Sequence, residues 1–163
     1  MKPKLSSEDL TPIATRAITE VLAVQLKRVA IPLTPGDERL KKATGHHLHA
    51  TVTLTGERII GAVLFQVPVE FATKVAEQLL GSDAESDDSK DVTGELGNMI
   101  SGLVKGELSS AGYHGTLGTP TVTLGSRITL HAPADSELCT TEWSCEGHLL
   151  SLQIQLSHPH STA

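Results

Sequence analysis

Aromatic side chains are nearly absent: Phe65, Phe71, Tyr113 and Trp143 are the whole set in 163 residues. That scarcity argues against a stacking platform for nucleic-acid bases and leaves the core to aliphatic residues. Positive charge is also short. Thirteen Lys and Arg against nineteen Asp and Glu give a net charge of -6 with no basic stripe, the wrong balance for neutralising a phosphate backbone. No apolar run approaches the length of a membrane span. The start of the chain, MKPKLSSEDLTPIATRAI, has no uninterrupted apolar stretch behind its lysines, so no signal peptide is expected and the expected location is the cytoplasm. In that reducing setting Cys139 and Cys145 read as buried small hydrophobes rather than a bridge.

What is present is the composition of a soluble globular protein, 39% hydrophobic and 20% charged. The length suits one domain spanning 1–163, with flexible tails at about 1–6 and 157–163. From Ser7 to about Val29, Ile13, Ala17, Val21, Leu22, Val24 and Leu26 recur at three- and four-residue steps, predicting an amphipathic helix. Residues 32–47 are polar and punctuated by Pro and Gly, so an irregular segment is expected. From Leu48 to Leu54 apolar residues alternate with His49, Thr51, Thr53 and Thr55, and Gly56-Glu57-Arg58 turns the chain into IIGAVLFQV, predicting a hairpin. Pro68 is placed to open a helix with Val69, Ala72, Val75, Ala76, Leu79 and Leu80 on one face and Gly81 at its end. After the acidic stretch 83–91 a second helix is expected over about 91–111. TPTVTL, ELCTTEWSC and HLLSLQIQLS then read as strands, the last with Leu150, Leu152, Ile154 and Leu156 inward. This order is α+β rather than strict βαβ alternation.

The segment DVTGELGNMISG, residues 91–102, carries the functional signal. On a wheel with Val92 at zero, Val92, Leu96, Met99, Ile100, Leu103 and Val104 form a continuous apolar face. Asp91, Glu95, Asn98, Gly102, Lys105 and Ser109 fall between roughly 220° and 300°, with Gly94 and Ser101 beside them near 200° and 180°. A polar helix face is ordinary. Four glycines, Gly94, Gly97, Gly102 and Gly106, are not, because together they weaken the helix by on the order of 3–4 kcal/mol. Small residues around a Glu and an Asn would let another macromolecule approach closely enough for those two side chains to enter a recess. Gly97, near 140°, lies off both faces and is left to close packing.

Asp91, Glu95 and Asn98, followed by Pro120 after twenty-one intervening residues, resemble the active-site signature of the CheC/CheX/FliY phosphatases of bacterial chemotaxis. ELGNMISG looks like the core of the CheX motif. The first helix has Glu20 but Ala23 where a second signature would require Asn, so the resemblance is to the single-site CheX type. It implies a CheC/CheX-like α/β sandwich, a mostly antiparallel sheet with long helices packed on it. It also implies hydrolysis of the aspartyl phosphate on a response-regulator receiver domain of the CheY kind. Glu95 would pair with the partner's active-site lysine and Asn98 would hold the attacking water. Asp91, Gly94, Ser101, Gly102, Lys105 and Pro120 would frame the contact. Mg²⁺ is expected on the receiver, with no cofactor or metal on this chain. A positioned amide suits a loose phosphoryl-transfer transition state, as a glutamine does in GTPases.

Three other readings compete. A binding module that grips a receiver without turning it over would have no use for Asn98. A metal site would draw on His46, His47, His49, His148, His158 and His160, but their spacing is not that of structural zinc, and they are expected to be surface histidines. Homodimerisation through the apolar final strand as a pairing edge is compatible with catalysis.

Overall fold

The computed structural model describes residues 4–41 and 43–159. Helix α1 (Ser7–Leu26) opens on Ser6, whose hydroxyl accepts from the Asp9 amide while the Asp9 carboxylate accepts from the Ser6 amide at 2.8 Å. Each half of that capping box satisfies an amide the helix leaves without a partner. Leu10, Ala14, Ala17, Ile18, Val21, Leu22 and Leu26 form its buried face, whereas Val24, expected among the apolar set, is 55% exposed. The helix ends earlier than expected because Lys27 adopts a left-handed conformation, φ 54°, and the Arg28 amide folds back to the Leu22 carbonyl. Ser6 caps α1 and Ser157 closes the last strand; residues 1–3 and 160–163 of the expected tails lie outside the described residues.

The segment expected to be irregular, of which residue 42 is likewise not described, holds a short strand β1 (Ile31–Leu33) and one helical turn α2 (Glu38–Lys41). Strands β2 (His47–Thr55) and β3 (Ile60–Pro68) form the expected hairpin, closed by the Gly56 amide on the Ile59 carbonyl at 2.8 Å. Helix α3 (Val69–Leu80) and helix α4 (Ser86–Ser110) follow, then β4 (Thr116–Leu117), β5 (Thr121–Gly125), β6 (Ser136–Cys145) and β7 (His148–Ser157). One antiparallel sheet results, in the order β1-β6-β7-β3-β2-β4, with β5 also paired to β2. The α+β expectation holds. Strand β7 is paired along both sides, to β3 and β6, so it is not the free edge it was expected to offer for dimerisation.

Leu48, Ala50 and Leu54 of β2, Val63 and Phe65 of β3, and Leu150, Leu152, Ile154 and Leu156 of β7 pack with the buried faces of α1, α3 and α4 in one apolar core. Cys139 and Cys145 are free thiols within it, and burial raises both thiol pKa values. Arg28 ties the helix ends to the sheet. Its guanidinium bonds Glu146 at 2.6 Å in the β6–β7 turn and Gln78 of α3 at 2.9 Å, and lies 5.5 Å from the centre of the Phe71 ring. Gln78 in turn donates to the Leu26 carbonyl at the end of α1.

The opposite face of the sheet is covered by residues 126–131. The Ile128 and Leu130 amides each donate to a glutamine side chain, Gln66 and Gln153, at 2.7 Å, and Arg127 pairs with Glu142. His47 and His49 are consequently buried, 1% and 2% exposed, which corrects their expected place on the surface. An alternating polar strand face normally meets solvent. Here the backbone of a crossing segment covers it.

Burial is the main cause that lowers the His47 pKa; Arg127 and His49 push it the same way, against the Gly45 carbonyl. The unfolded chain therefore takes up this proton first, and the stability from neutral His47 is lost as pH falls from about 6.5 through the lower folded value. Wild type should lose melting temperature relative to His47→Gln between pH 7 and pH 5. An unchanged difference between the two melting curves across that window would contradict the assignment.

Candidate functional site

Helix α4 is twenty-five residues long, and its interior-facing surface is wider than its apolar stripe. Thr93, Gly94, Gly97 and Ser101 are buried along with Val92, Leu96, Ile100, Val104 and Leu108. A Cβ on Gly97 would stand 2.6 Å from the Ala50 Cβ of β2, and one on Gly94 would stand 3.1 Å from a Val122 methyl of β5. These two glycines let the helix lie directly on the sheet. Gly97, which fitted neither face of the wheel, is the closest approach.

Gly94 and Ser101, expected to lower the surface around a partner, therefore face the sheet instead, and Ser101 is fully buried. The clearance reading remains for Gly102, which is exposed and has nothing within 4 Å of where a Cβ would sit. Gly106 is equally open. Pro120 is half-buried just before β5, two residues from Val122.

Seating α4 in this way fixes its rotation. Asp91, Glu95, Asn98 and Gly102 are all exposed and follow one another at four-, three- and four-residue steps, a single outward stripe. Lys105, next along it, is half-buried. The side chains of Asp91, Glu95 and Asn98 make no hydrogen bond or ion pair among the described residues. The helix begins a turn and a half before its expected start at Asp91, with the Glu85 amide donating to the Asp88 carboxylate at 2.7 Å. No comparable stripe exists in α1, where the exposed Glu20 is followed by an exposed Ala23.

Beside the stripe runs a feature that the sequence pattern concealed. Leu79 and Leu80, expected on the buried face of α3, are 51% and 59% exposed. With Leu26 and Leu96 they line a groove of about 410 Å³ whose edge carries Asp91 and Glu95. The groove lies where the ends of α1 and α3 meet the first half of α4. Among the described residues there is no group of three or more His, Cys, Asp or Glu that could hold a metal ion, and no helix is long and apolar enough to cross a membrane.

Two alanine substitutions distinguish the two kinds of glycine. Gly97→Ala should lower the melting temperature, because forcing a methyl against Ala50 costs about 1–3 kcal/mol and outweighs a helix-propensity gain of roughly 1 kcal/mol. Gly102→Ala should raise it, since only the propensity gain applies there. Thermal denaturation of both variants in which Gly97→Ala proved the more stable would refute the packing described.

The family model for the chemotaxis phosphatase CheX matches residues 48–143. Among solved structures, the chemotaxis protein CheX of Vibrio vulnificus superposes with a TM-score of 0.77 at 17% identity, covering 94% of this chain and 100% of that one. CheX of Desulfovibrio desulfuricans gives a TM-score of 0.71 at 24% identity, covering 93% and 99%. The CheX–CheY–BeF3–Mg²⁺ complex of Borrelia burgdorferi gives 0.67 at 19% identity, covering 91% and 98%. At these identities the likeness is one of fold. No curated protein matches the chain by sequence. The family model, which spans more than half of the residues and includes the whole of α4, shows that this chain belongs to the CheX family of chemotaxis phosphatases.

Proposed function

We propose that the chain hydrolyses the aspartyl phosphate of a CheY-like receiver domain by placing Glu95 and Asn98 in the receiver's phosphorylation site. The observation that carries this reading is the pair itself. A carboxylate and an amide stand one turn apart, exposed and unbonded, on a helix held to the sheet through its opposite side. Side chains that must enter a partner's site gain from such a rigid mount, because catalysis by positioning is lost when the geometry loosens.

The roles follow from the functional groups. Glu95 pairs with the receiver's cationic active-site lysine in a charge-assisted hydrogen bond that sets the register of the helix. Asn98 offers a donor and an acceptor to water and does not titrate, so it aligns the nucleophile without removing its proton. Water attacks phosphorus as the phosphorus–oxygen bond to the aspartyl carboxylate breaks. The products are inorganic phosphate and the free carboxylate. Mg²⁺, present in the Borrelia burgdorferi complex with CheY, belongs to the receiver in this scheme and screens the charge spread over the phosphoryl oxygens. Gly102, one turn beyond Asn98, leaves room for the rim of the receiver's site. Dimerisation through the sheet falls to its outer strands, β1 at one edge or β4 and β5 at the other, rather than to β7.

Asn98→Ala should retain the wild-type melting temperature and lose on the order of 10²-fold in the rate of phospho-receiver decay, a loss comparable to removing another transition-state donor. Decay at the wild-type rate would exclude the water-positioning role. Glu95→Lys brings like charges together at the receiver lysine. Binding to the beryllofluoride-activated receiver should then be undetectable by calorimetry, and wild-type affinity would remove the docking role. Turnover at substoichiometric protein separates a phosphatase from a module that only binds.

A further inference from the structure

We propose that the groove between the ends of α1 and α3 and the first half of α4 is a second docking point for the receiver, one that takes an apolar side chain framed by Lys or Arg. This rests on the receiver reading above and extends it from the catalytic pair to the choice of partner. The groove is continuous with the site, because Glu95 is part of its lining as well as part of the outward stripe. Leu79 and Leu80, both more than half exposed, form one wall. Two adjacent leucines left half in water at the end of a helix forgo much of the stabilisation that burial would provide.

Charge identifies the occupant. Asp88, Asp91 and Glu95 stand at successive turns of α4 along the groove's edge, and no Lys, Arg or His lines it. A partner patch with basic residues around an apolar centre meets both demands, steered by the carboxylates and held by the leucines. A second copy of this chain meets only the apolar demand. A two-fold contact would set the acidic edge against itself, in a protein already carrying a net charge of -6. The described residues that precede α1 are also remote: the twenty residues of that helix set them about 30 Å from the groove, which lies near its other end.

Docking at such a point is retained from the bound state through the transition state, so losing it raises KM and leaves kcat in place. The test uses the full chain, the CheY-type receiver it dephosphorylates fastest, and the double variant Leu79→Ser/Leu80→Ser, whose side chains lie at the surface. We expect KM for the phosphorylated receiver and Kd for its beryllofluoride-activated form to rise about tenfold, with kcat within about twofold of wild type. Asp88→Asn/Asp91→Asn should slow association and flatten its dependence on ionic strength.

Wild-type KM and Kd in the leucine variant would overturn the proposal while leaving the catalytic reading intact. Light scattering that showed the variant falling from dimer to monomer would assign the groove to a second copy and overturn it too. If wild type neither bound nor dephosphorylated any receiver, both readings would fall together. A large loss of kcat with KM unchanged, in a variant that still melts as wild type does, would contradict a docking role specifically.

Discussion

Everything proposed for this molecule depends on how closely α4 approaches the sheet. The Gly97–Ala50 contact leaves no room for a larger side chain on the helix and the Gly94–Val122 contact leaves little, so α4 seats at one depth and one rotation. Rotation decides which residues a partner can reach. Turning a helix by one residue's worth, about 100°, would bury Glu95 or Asn98 and expose residues that carry no chemistry. Two glycines that weaken the helix as a helix thus specify it as a mount, and the tertiary contact offsets part of the propensity they lose.

The site follows from that seating. Asp91, Glu95, Asn98 and Gly102 face outward because the small-residue side faces β2 and β5 while the apolar side faces the core helices. Arg28 holds the ends of α1 and α3 together through Glu146, Gln78 and the Leu26 carbonyl, and those ends form the groove beside Glu95. The chain needs no nucleophile in this scheme. It contributes one amide, one carboxylate and a surface, and the receiver contributes the phosphoryl group, the metal and the lysine.

Local patterns made much of this legible in the sequence. The hairpin of β2 and β3, the helix over 69–80 and the outward stripe of α4 were readable because period two and period 3.6 are properties of neighbouring residues. Gly94 and Ser101 were not, since they stand at 200° and 180° on the wheel, roughly at its polar edge. Only the position of β5 and β2 decides that the sheet covers them. His47 and His49 were misplaced for a related reason. Their alternation with Leu48 and Ala50 predicts a solvated face, but residues 126–131, some eighty positions later, cross over it. Leu79 and Leu80 carry the apolar signature of a core face, and no pattern within α3 records that its last turn is left more than half exposed beside the groove. Each of these errors concerns what a distant segment does, and single-sequence periodicity holds no information on that.

A structure of the chain with a beryllofluoride- and Mg²⁺-activated receiver would decide whether α4 enters the receiver's phosphorylation site with its outward stripe. In it the Glu95 carboxylate should be bonded to the receiver's lysine and the Asn98 amide to a water in line with the aspartyl–beryllium bond. A receiver seated with its phosphorylation site away from α4, or on the face covered by residues 126–131, would contradict that placement.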